Sequence, residues 1–260
     1  MPEHVKIEIN AGVATITLDR PEKRNALRRE IIQRLLECVR EAAGSESVRL
    51  LIIKATGKVF CAGMDLGQMQ ERAESEDSGE EWKIDSQVYC DLLTALVQIQ
   101  IPTVACLQGP ALAGGVGLVL ACDIVIASEN TFFMLPEPMR GITAAMVTPL
   151  LLHRIGAGPA TYMLLSNERI PASRSYGICH AVVPPADLDT RLQALQDSIM
   201  SGSKSAFAIT KSHISASTGC DLATQLQDSM SVSAQARATP DAREGLSAFL
   251  EKRQPSWQTS

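Results

Sequence analysis

The stretch Gln108-Gly-Pro-Ala-Leu-Ala-Gly-Gly-Val-Gly-Leu-Val-Leu-Ala-Cys-Asp-Ile-Val-Ile-Ala127 sets four glycines ahead of a nearly continuous apolar run. Glycine is used where backbone must approach something closely or where φ must be positive. Phosphate readings fail on spacing. Gly115-Val-Gly117 lacks the third glycine of a dinucleotide fingerprint, and Gly57-Lys58 is followed by Val59, not by a hydroxyl residue. Two readings stay open. The glycines allow tight packing of a helix on a strand, or they open a helix whose free N–H groups face an anion or a charge that develops during reaction.

Working outward, the bulk properties exclude several classes. The chain has 260 residues, 45% hydrophobic and 20% charged, with a formal net charge of −5. That length buries a sizeable core. The charge gives no footprint for nucleic acid or an anionic membrane surface. MPEHVKIEIN lacks the basic head and apolar centre of a signal peptide, and no apolar run reaches the ~18 residues of a bilayer span. The seven cysteines (38, 61, 90, 106, 122, 179 and 220) include no C-x-x-C pair and read as small core residues of a reducing cytoplasm. A cytoplasmic protein with no metal, nucleic-acid or membrane partner is expected.

Val5–Ile9 and Val13–Leu18 alternate around Asn10-Ala-Gly12, a hairpin signal. Leu27, Ile31, Ile32, Leu35, Leu36 and Val39 recur at helical spacing, and Val48–Ile53 reads as a buried strand. Phe60-Cys-Ala-Gly-Met-Asp65 is a second glycine turn, with Asp65 placed to cap a following helix. Residues 68–83 are rich in acids and read as a solvated excursion. Helical spacing resumes over Val88–Val97, strands are expected at Pro102–Leu107, Ile124–Ala127 and Phe132–Leu135, and the chain from Arg140 onward reads as almost wholly helical. The alternation predicts an α/β fold. Glu137 lies between two prolines directly after an apolar strand, a place for a desolvated acid/base with a raised pKa.

Together these stretches resemble the crotonase superfamily, the enoyl-CoA hydratases and isomerases. The likeness runs through VATITLDRPEKRNAL, FCAGMDL, QGPALAGGVGLVLACDIVIAS, FFMLPEPMRGI, RIPASRSYGICHAVVP, SKSAFAITK and EGLSAFLEKRQPSW. It implies a ββα superhelix, with residues 1–200 as the core domain and 201–260 as a C-terminal helical region for oligomerisation and CoA-site completion. It implies a homotrimer or hexamer that stabilises a thioester enolate, a lyase or isomerase of fatty-acid metabolism. The oxyanion would rest on the backbone N–H groups of Met64 and Gly114, with Glu137 as the catalytic carboxylate. Lys23 and Arg24 would meet CoA phosphates, Ala62 and Met64 would accept the adenine amino group, and Asp65, Leu66 and Gly117 would line the substrate. Phe249 and Lys252 match positions that reach a neighbouring subunit's CoA site. CoA is part of the substrate, and no separate cofactor is implied.

One departure matters. The typical hydratase pattern carries a second glutamate just after the glycines, and that place here is Gly117. A single carboxylate suits Δ3,Δ2-enoyl-CoA isomerisation. Yet GGVGL, ACDI, LPE and TPLLLHRIGA also resemble hydratases of branched or carboxylated enoyl-CoAs, of the methylglutaconyl and isohexenylglutaconyl type, among which a glycine occurs here. Hydration of a 2-enoyl-CoA is the leading expectation, isomerisation the alternative, and a catalytically silent acyl-CoA binder the rival of another class. If Gly117 is a vacant catalytic position, Gly117→Glu is expected to raise hydration of a short straight-chain substrate. Arg140 and Lys83 are candidates for a free substrate carboxylate, with a surface ion pair the simpler reading of each. His153, His180 and His213 read as packing or surface residues.

Overall fold

The structure, a computed structural model, describes residues 4–219 and 221–258; the Cys220 part of the cysteine reading lies outside them. Strands β1 (Val5–Asn10) and β2 (Val13–Leu18) pair antiparallel across a two-residue turn in which Ala11 (φ 48°) and Gly12 (φ 84°) are both left-handed. Such a turn matches the twist of the strands it joins. Helix α1 (Arg29–Gly44) buries the stripe Ile31, Ile32, Leu35, Leu36, Val39, and β3 (Leu50–Ala55) follows. Helices α2 (Leu66–Ala73) and α3 (Ser78–Gln98) come next.

The middle of the chain repeats one unit. A long-sheet strand is followed by a short-sheet strand and then a helix. The first pass is β4 (Thr103–Leu107), β5 (Ala111–Leu112) and α4 (Gly114–Leu120). The second is β6 (Ile124–Ser128), β7 (Phe132–Met134), a 3-10 turn at Glu137–Arg140 and helices α5 (Val147–Ile155) and α6 (Ala157–Ser166). Then come β8 (Ile170–Pro171), β9 (Ala181–Val183) and α7 (Leu188–Met200). Helices α8 (Lys204–Ser217), α9 (Leu222–Arg237) and α10 (Pro240–Leu250) close the chain. The larger sheet has the order β1-β2-β3-β4-β6-β9, parallel from β2 onward, and the smaller one β5-β7-β8. This is the ββα superhelix expected.

Both faces of the larger sheet are covered, which explains why β3 reads as an unbroken apolar run. Leu51 and Ile53 enter the main core with α1, α3, α4 and α5, while Leu50 and Ile52 pack with Leu188 and Ile199 of α7 on the other face. Two buried-end contacts tie distant motifs together. Arg154 donates to the carbonyls of Leu120, Cys122 and Asp123, where α4 ends. Asp123 in turn accepts from Thr103 N at 2.7 Å and Lys211 Nζ at 2.5 Å, pinning α8 to the end of the sheet.

Two expectations need correction. Residues 68–83 are not a solvated excursion. They belong mostly to α2 and α3, and Gln68, Met69 and Trp82 are buried, the last two packed with Leu246 of α10. Of the acids there, Glu81 is half-buried and paired with Arg29 and Arg72, whereas Glu74, Glu76, Asp77 and Glu80 are exposed. The count of acids hid the wide spacing of the few apolar anchors. Nor is the chain wholly helical after Arg140: β9 adds a parallel edge strand to the larger sheet. Its three half-buried residues are too few to show a period.

Helix α9 packs along α3, and α10 packs on α2 and the Glu137–Arg140 turn. The second contact is backbone against backbone. A Cβ at Gly245 would lie 2.4 Å from the carbonyl carbon of Arg140. Gly245→Ala should therefore lift α10 and cost about 1–3 kcal/mol, the usual range for overpacking. Urea unfolding checks this, and an unchanged midpoint would contradict the contact.

Candidate active site

The two glycine turns meet. Gly63 (φ 83°) lies against Ala113 and Gly114, where an added Cβ would fall 2.6 Å from Ala113 Cβ and 3.0 Å from Gly114 N. A Cβ at Gly115 would fall 2.5 Å from the Cys61 carbonyl oxygen. The turns are stitched together by Cys61 N donating to Pro110 O (3.3 Å) and Leu112 N donating to Cys61 O (2.9 Å). On the far side Leu27 N donates to Gly63 O (2.8 Å) and Asp65 N to Leu27 O (2.9 Å). Both bonds bypass Met64, so its N–H turns the other way. Gly114 opens α4, where first-turn N–H groups lack an intrahelical acceptor. Among the described residues neither N–H has a backbone partner. Ala113, at φ 50° and ψ −128°, holds a conformation that ordinarily belongs to glycine. Backbone strain of this kind costs of order 1–3 kcal/mol and persists only where the surroundings enforce it. The packing and donor readings of the glycines are thus met by one arrangement.

Glu137 enters the site from the second pass of the superhelix. Pro136 precedes it and Pro138 follows, in a 3-10 turn closed by Met139 N to Pro136 O (3.1 Å) and Ile142 N to Glu137 O (3.2 Å). The carboxyl is buried, and its Oε2 has no hydrogen-bond partner among the described residues. Burial pushes its pKa up to about 7, against its own backbone N–H and the charges of Arg140 and Arg237, which pull it down.

One cavity of about 770 Å³ joins these groups. Of the residues expected from sequence, Lys23, Arg24, Ala62, Met64, Asp65, Leu66, Gly114, Glu137 and Phe249 all line it. Lys23 and Arg24 sit exposed at its rim, on a loop fixed by the buried Asn25. That amide donates to Thr56 O and Val59 O (2.9 and 2.8 Å) and accepts from Arg20 N (2.8 Å). Asp65 does cap α2, accepting from Gln68 N, and its other oxygen takes Arg20 Nη1 at 2.7 Å. Burial works against its charge, but these bonds hold its carboxyl below the usual range. Phe249 lines its own chain's cavity, beneath the Arg140 guanidinium at 4.4 Å, where the resemblance places it in a neighbour's. Lys252 is exposed beyond the end of α10 and does not reach the lining.

Gly117 is not vacant. A Cβ there would lie 2.4 Å from Tyr89 Oη and 3.3 Å from Val147 Cγ2. The fully buried Tyr89 of α3 donates its hydroxyl to Gly114 O and fills the space a side chain at 117 would need. Gly117→Glu alone therefore brings no gain in hydration, because the new side chain collides with a pinned phenol. Arg140 is no surface ion pair either. It is half-buried, donates to Pro136 O at 3.0 Å, and leaves Nε without a hydrogen-bond partner among the described residues. Lys83 does pair with Glu80 on the surface. His180 accepts from Val125 N at 3.0 Å, and His153 and His213 are exposed, as their contexts suggest.

Tyr89 and Arg237 escaped the sequence reading, along with the buried Ser233. Tyr89 lies on the amphipathic face of α3 and looks like core. Arg237 closes α9, near the end of the chain, and a basic residue at a helix C-terminus has an ordinary explanation. It sits over the Trp82 ring at 5.6 Å and lines the cavity beside Glu137.

Residues 8–260 match the enoyl-CoA hydratase/isomerase family. The chain belongs to it. It is an enzyme of the enoyl-CoA hydratase/isomerase type and is 36% identical, over 94% of each chain, to YngF of Bacillus subtilis, provisionally named an enoyl-CoA hydratase/isomerase. Its fold is similar to that of an enoyl-CoA hydratase/isomerase from Xanthobacter autotrophicus (TM-score 0.86, 28% identity, 96% and 97% of the two chains). It is also similar to that of an enoyl-CoA hydratase from Mycobacterium avium subsp. paratuberculosis (TM-score 0.85, 28% identity, 98% of each).

The raised pKa of Glu137 in this enoyl-CoA hydratase/isomerase couples to folding. Between the ordinary 4.5 and about 7, the folded chain keeps a proton that the unfolded chain has released. This contribution is fully present below pH 4.5 and is lost as pH rises through about 7. Glu137→Gln removes the dependence. Relative to wild type, the variant should gain roughly 2–3 kcal/mol between pH 5 and pH 8. Urea unfolding of both proteins at the two pH values measures it, and a constant difference would rule out the buried titration.

Proposed function

We propose that this enzyme adds water across, or removes it to form, the C2=C3 double bond of a 2-enoyl-CoA. The observation that carries the reading is the convergence of the Met64 and Gly114 N–H groups and the buried Glu137 carboxyl on one cavity. The two amides hold the thioester oxygen as it becomes an enolate oxygen, a stabilisation worth roughly 2.7–4 kcal/mol per donor. Glu137 exchanges the proton. Lys23 and Arg24 take the CoA phosphates at the rim, Ala62 and Met64 the adenine, and Asp65 and Leu66 shape the entry. No cofactor beyond the CoA of the substrate is invoked. Isomerisation is favoured by a specific feature, the absence of a second carboxylate at Gly117, and is kept as the alternative. A silent acyl-CoA binder is disfavoured by the retention of Glu137, whose buried carboxyl lines the cavity with Oε2 unpartnered among the described residues.

The acyl end of the cavity points to a carboxylated chain. Arg140 and Arg237 both line it, and neither has a carboxylate within ion-pair distance among the described residues. Burial lowers the pKa of each, so a second anion there would relieve an unpaired charge. A panel of straight and ω-carboxylated enoyl-CoAs, followed by C2=C3 absorbance and mass, tests both parts. Hydration adds water, and isomerisation leaves mass unchanged. Glu137→Gln should lower kcat at least ~100-fold with binding nearly kept. Arg237→Met should raise KM for the carboxylated substrate by ~10-fold or more and leave the straight one alone. Near-wild-type turnover by Glu137→Gln would sink the mechanism, and equal KM effects would sink the carboxylate.

We place the protein in the cytoplasm, in fatty-acid metabolism, as a trimer or hexamer. The C-terminal helices support the assembly. Helix α8 has no buried residue, and its Ile209 is 70% exposed, as is Leu165 of α6 at 73%. Such apolar surface suits a partner copy. Light scattering should give a trimer or its multiple, and a fully active monomer would contradict it.

A further inference from the structure

Water addition asks for two contacts on the attacking oxygen. One group takes a proton, and another holds the remaining O–H so that a lone pair faces C3. Glu137 supplies the first. For the second, α3 offers a hydroxyl, packed against the short helix α4 where it lines the cavity. Gly117 has no side chain, and the phenol of Tyr89 stands in that gap, 2.4 Å from where a Cβ would be and 3.3 Å from the Cβ position of Gly114. Its proton is committed to the Gly114 carbonyl, which leaves its lone pairs as an acceptor toward the cavity that it lines.

We infer that Tyr89 Oη holds the reacting water, accepting one of its hydrogens while Glu137 takes the other. This rests on the hydration reading above. The water oxygen forms its bond to C3, and the C2=C3 π electrons move to the thioester, whose oxygen takes the negative charge at the Met64 and Gly114 amides. The proton on Glu137 then passes to C2 and the carbonyl re-forms, so one water is added and both side chains return to their starting states. Tyr89 gains and loses no proton. Burial raises its pKa well above the ordinary phenol value, which suits a holder and not a base.

Tyr89→Phe and the double variant Tyr89→Phe/Gly117→Glu test the assignment. Without the hydroxyl, the nearest ring carbon lies 3.5 Å from a Cβ at 117, an ordinary contact, and Val147 Cγ2 at 3.3 Å has only to give by a little, so replacing Tyr89 removes the main clash with a side chain there. Two readouts are compared: hydration of the enoyl-CoA that the wild type turns over, and exchange of the C2 hydrogen of butyryl-CoA in deuterium oxide. Exchange needs the amides and Glu137 but no attacking water. Tyr89→Phe should lower hydration kcat roughly tenfold, the upper end of the worth of one neutral hydrogen bond, while KM and exchange stay within about threefold. The double variant should regain about tenfold of the lost hydration, with a carboxylate in place of the phenol. Unchanged hydration in Tyr89→Phe overturns the role of Tyr89 alone. So does an equal loss of hydration and exchange, which would mean that the phenol merely supports α4. A wild type that exchanges C2 hydrogen but hydrates no enoyl-CoA overturns the hydration reading and this inference with it. Tyr89→Phe decides the matter by itself if the double variant does not fold.

Discussion

The site depends on one contact, the backbone-to-backbone approach of the Cys61–Met64 turn to the Leu112–Gly115 segment. Gly63 and Gly115 are each pressed so closely on the opposite strand of chain that no Cβ fits. The reciprocal bonds of Cys61 with Pro110 and Leu112 hold the two segments in register. From that register follow the direction of the Met64 N–H, the left-handed kink at Ala113 and the start of α4 directly beside it. The larger sheet, the two-sided core and the Arg154 clamp at the far end of α4 all serve to keep these two turns from parting. Strain at Ala113 is tolerable only because everything around it is packed.

How far this was legible in the sequence depended on distance along the chain. The hairpin at Ala11-Gly12, the stripe of α1 and the glycine turns are local patterns, and each carries its own turn chemistry or period. Glu137 was visible for the same reason, since two flanking prolines after an apolar strand mark a fixed carboxylate. Tyr89, Arg237 and Ser233 belong to α3 and α9, and only the packing of those helices on each other brings them to the site. On its own helix, Tyr89 is one more apolar-face residue. The fate of Gly117 was equally hidden. The absence of a side chain can be read from sequence, but what fills the space comes from a helix 25 or more residues earlier in the chain. The acids between 71 and 81 misled for a different reason. Their number outweighed Met69 and Trp82, two anchors that hold the whole segment down.

Electrostatically, the far end of the cavity is arranged against the grain of its burial. A carboxyl and two guanidinium groups share a low-polarity space without forming an ion pair among themselves. Removing water from a charge is costly unless a partner replaces it. The protein meets that cost in part by cation–π contacts, Arg140 on Phe249 and Arg237 on Trp82, which shelter the cations while leaving Glu137 unpaired. The same contacts make α10 and α3 walls of the site as well as parts of the core.

The prolines around Glu137 have a consequence for direction. They hold the carboxyl where burial brings its pKa to about 7. Near neutrality, then, a population of these molecules contains protonated and ionised carboxyls in comparable numbers. In the proposed chemistry, addition and elimination both begin from the ionised carboxyl, because the proton taken from water or from C2 is passed on within the same turnover, so neither traffic waits on a scarce state of the protein. Such a catalyst has no preferred sense of its own. It brings alkene and alcohol thioesters to their equilibrium ratio from whichever side is in excess, and any net flow must be imposed by the reactions that feed or drain it.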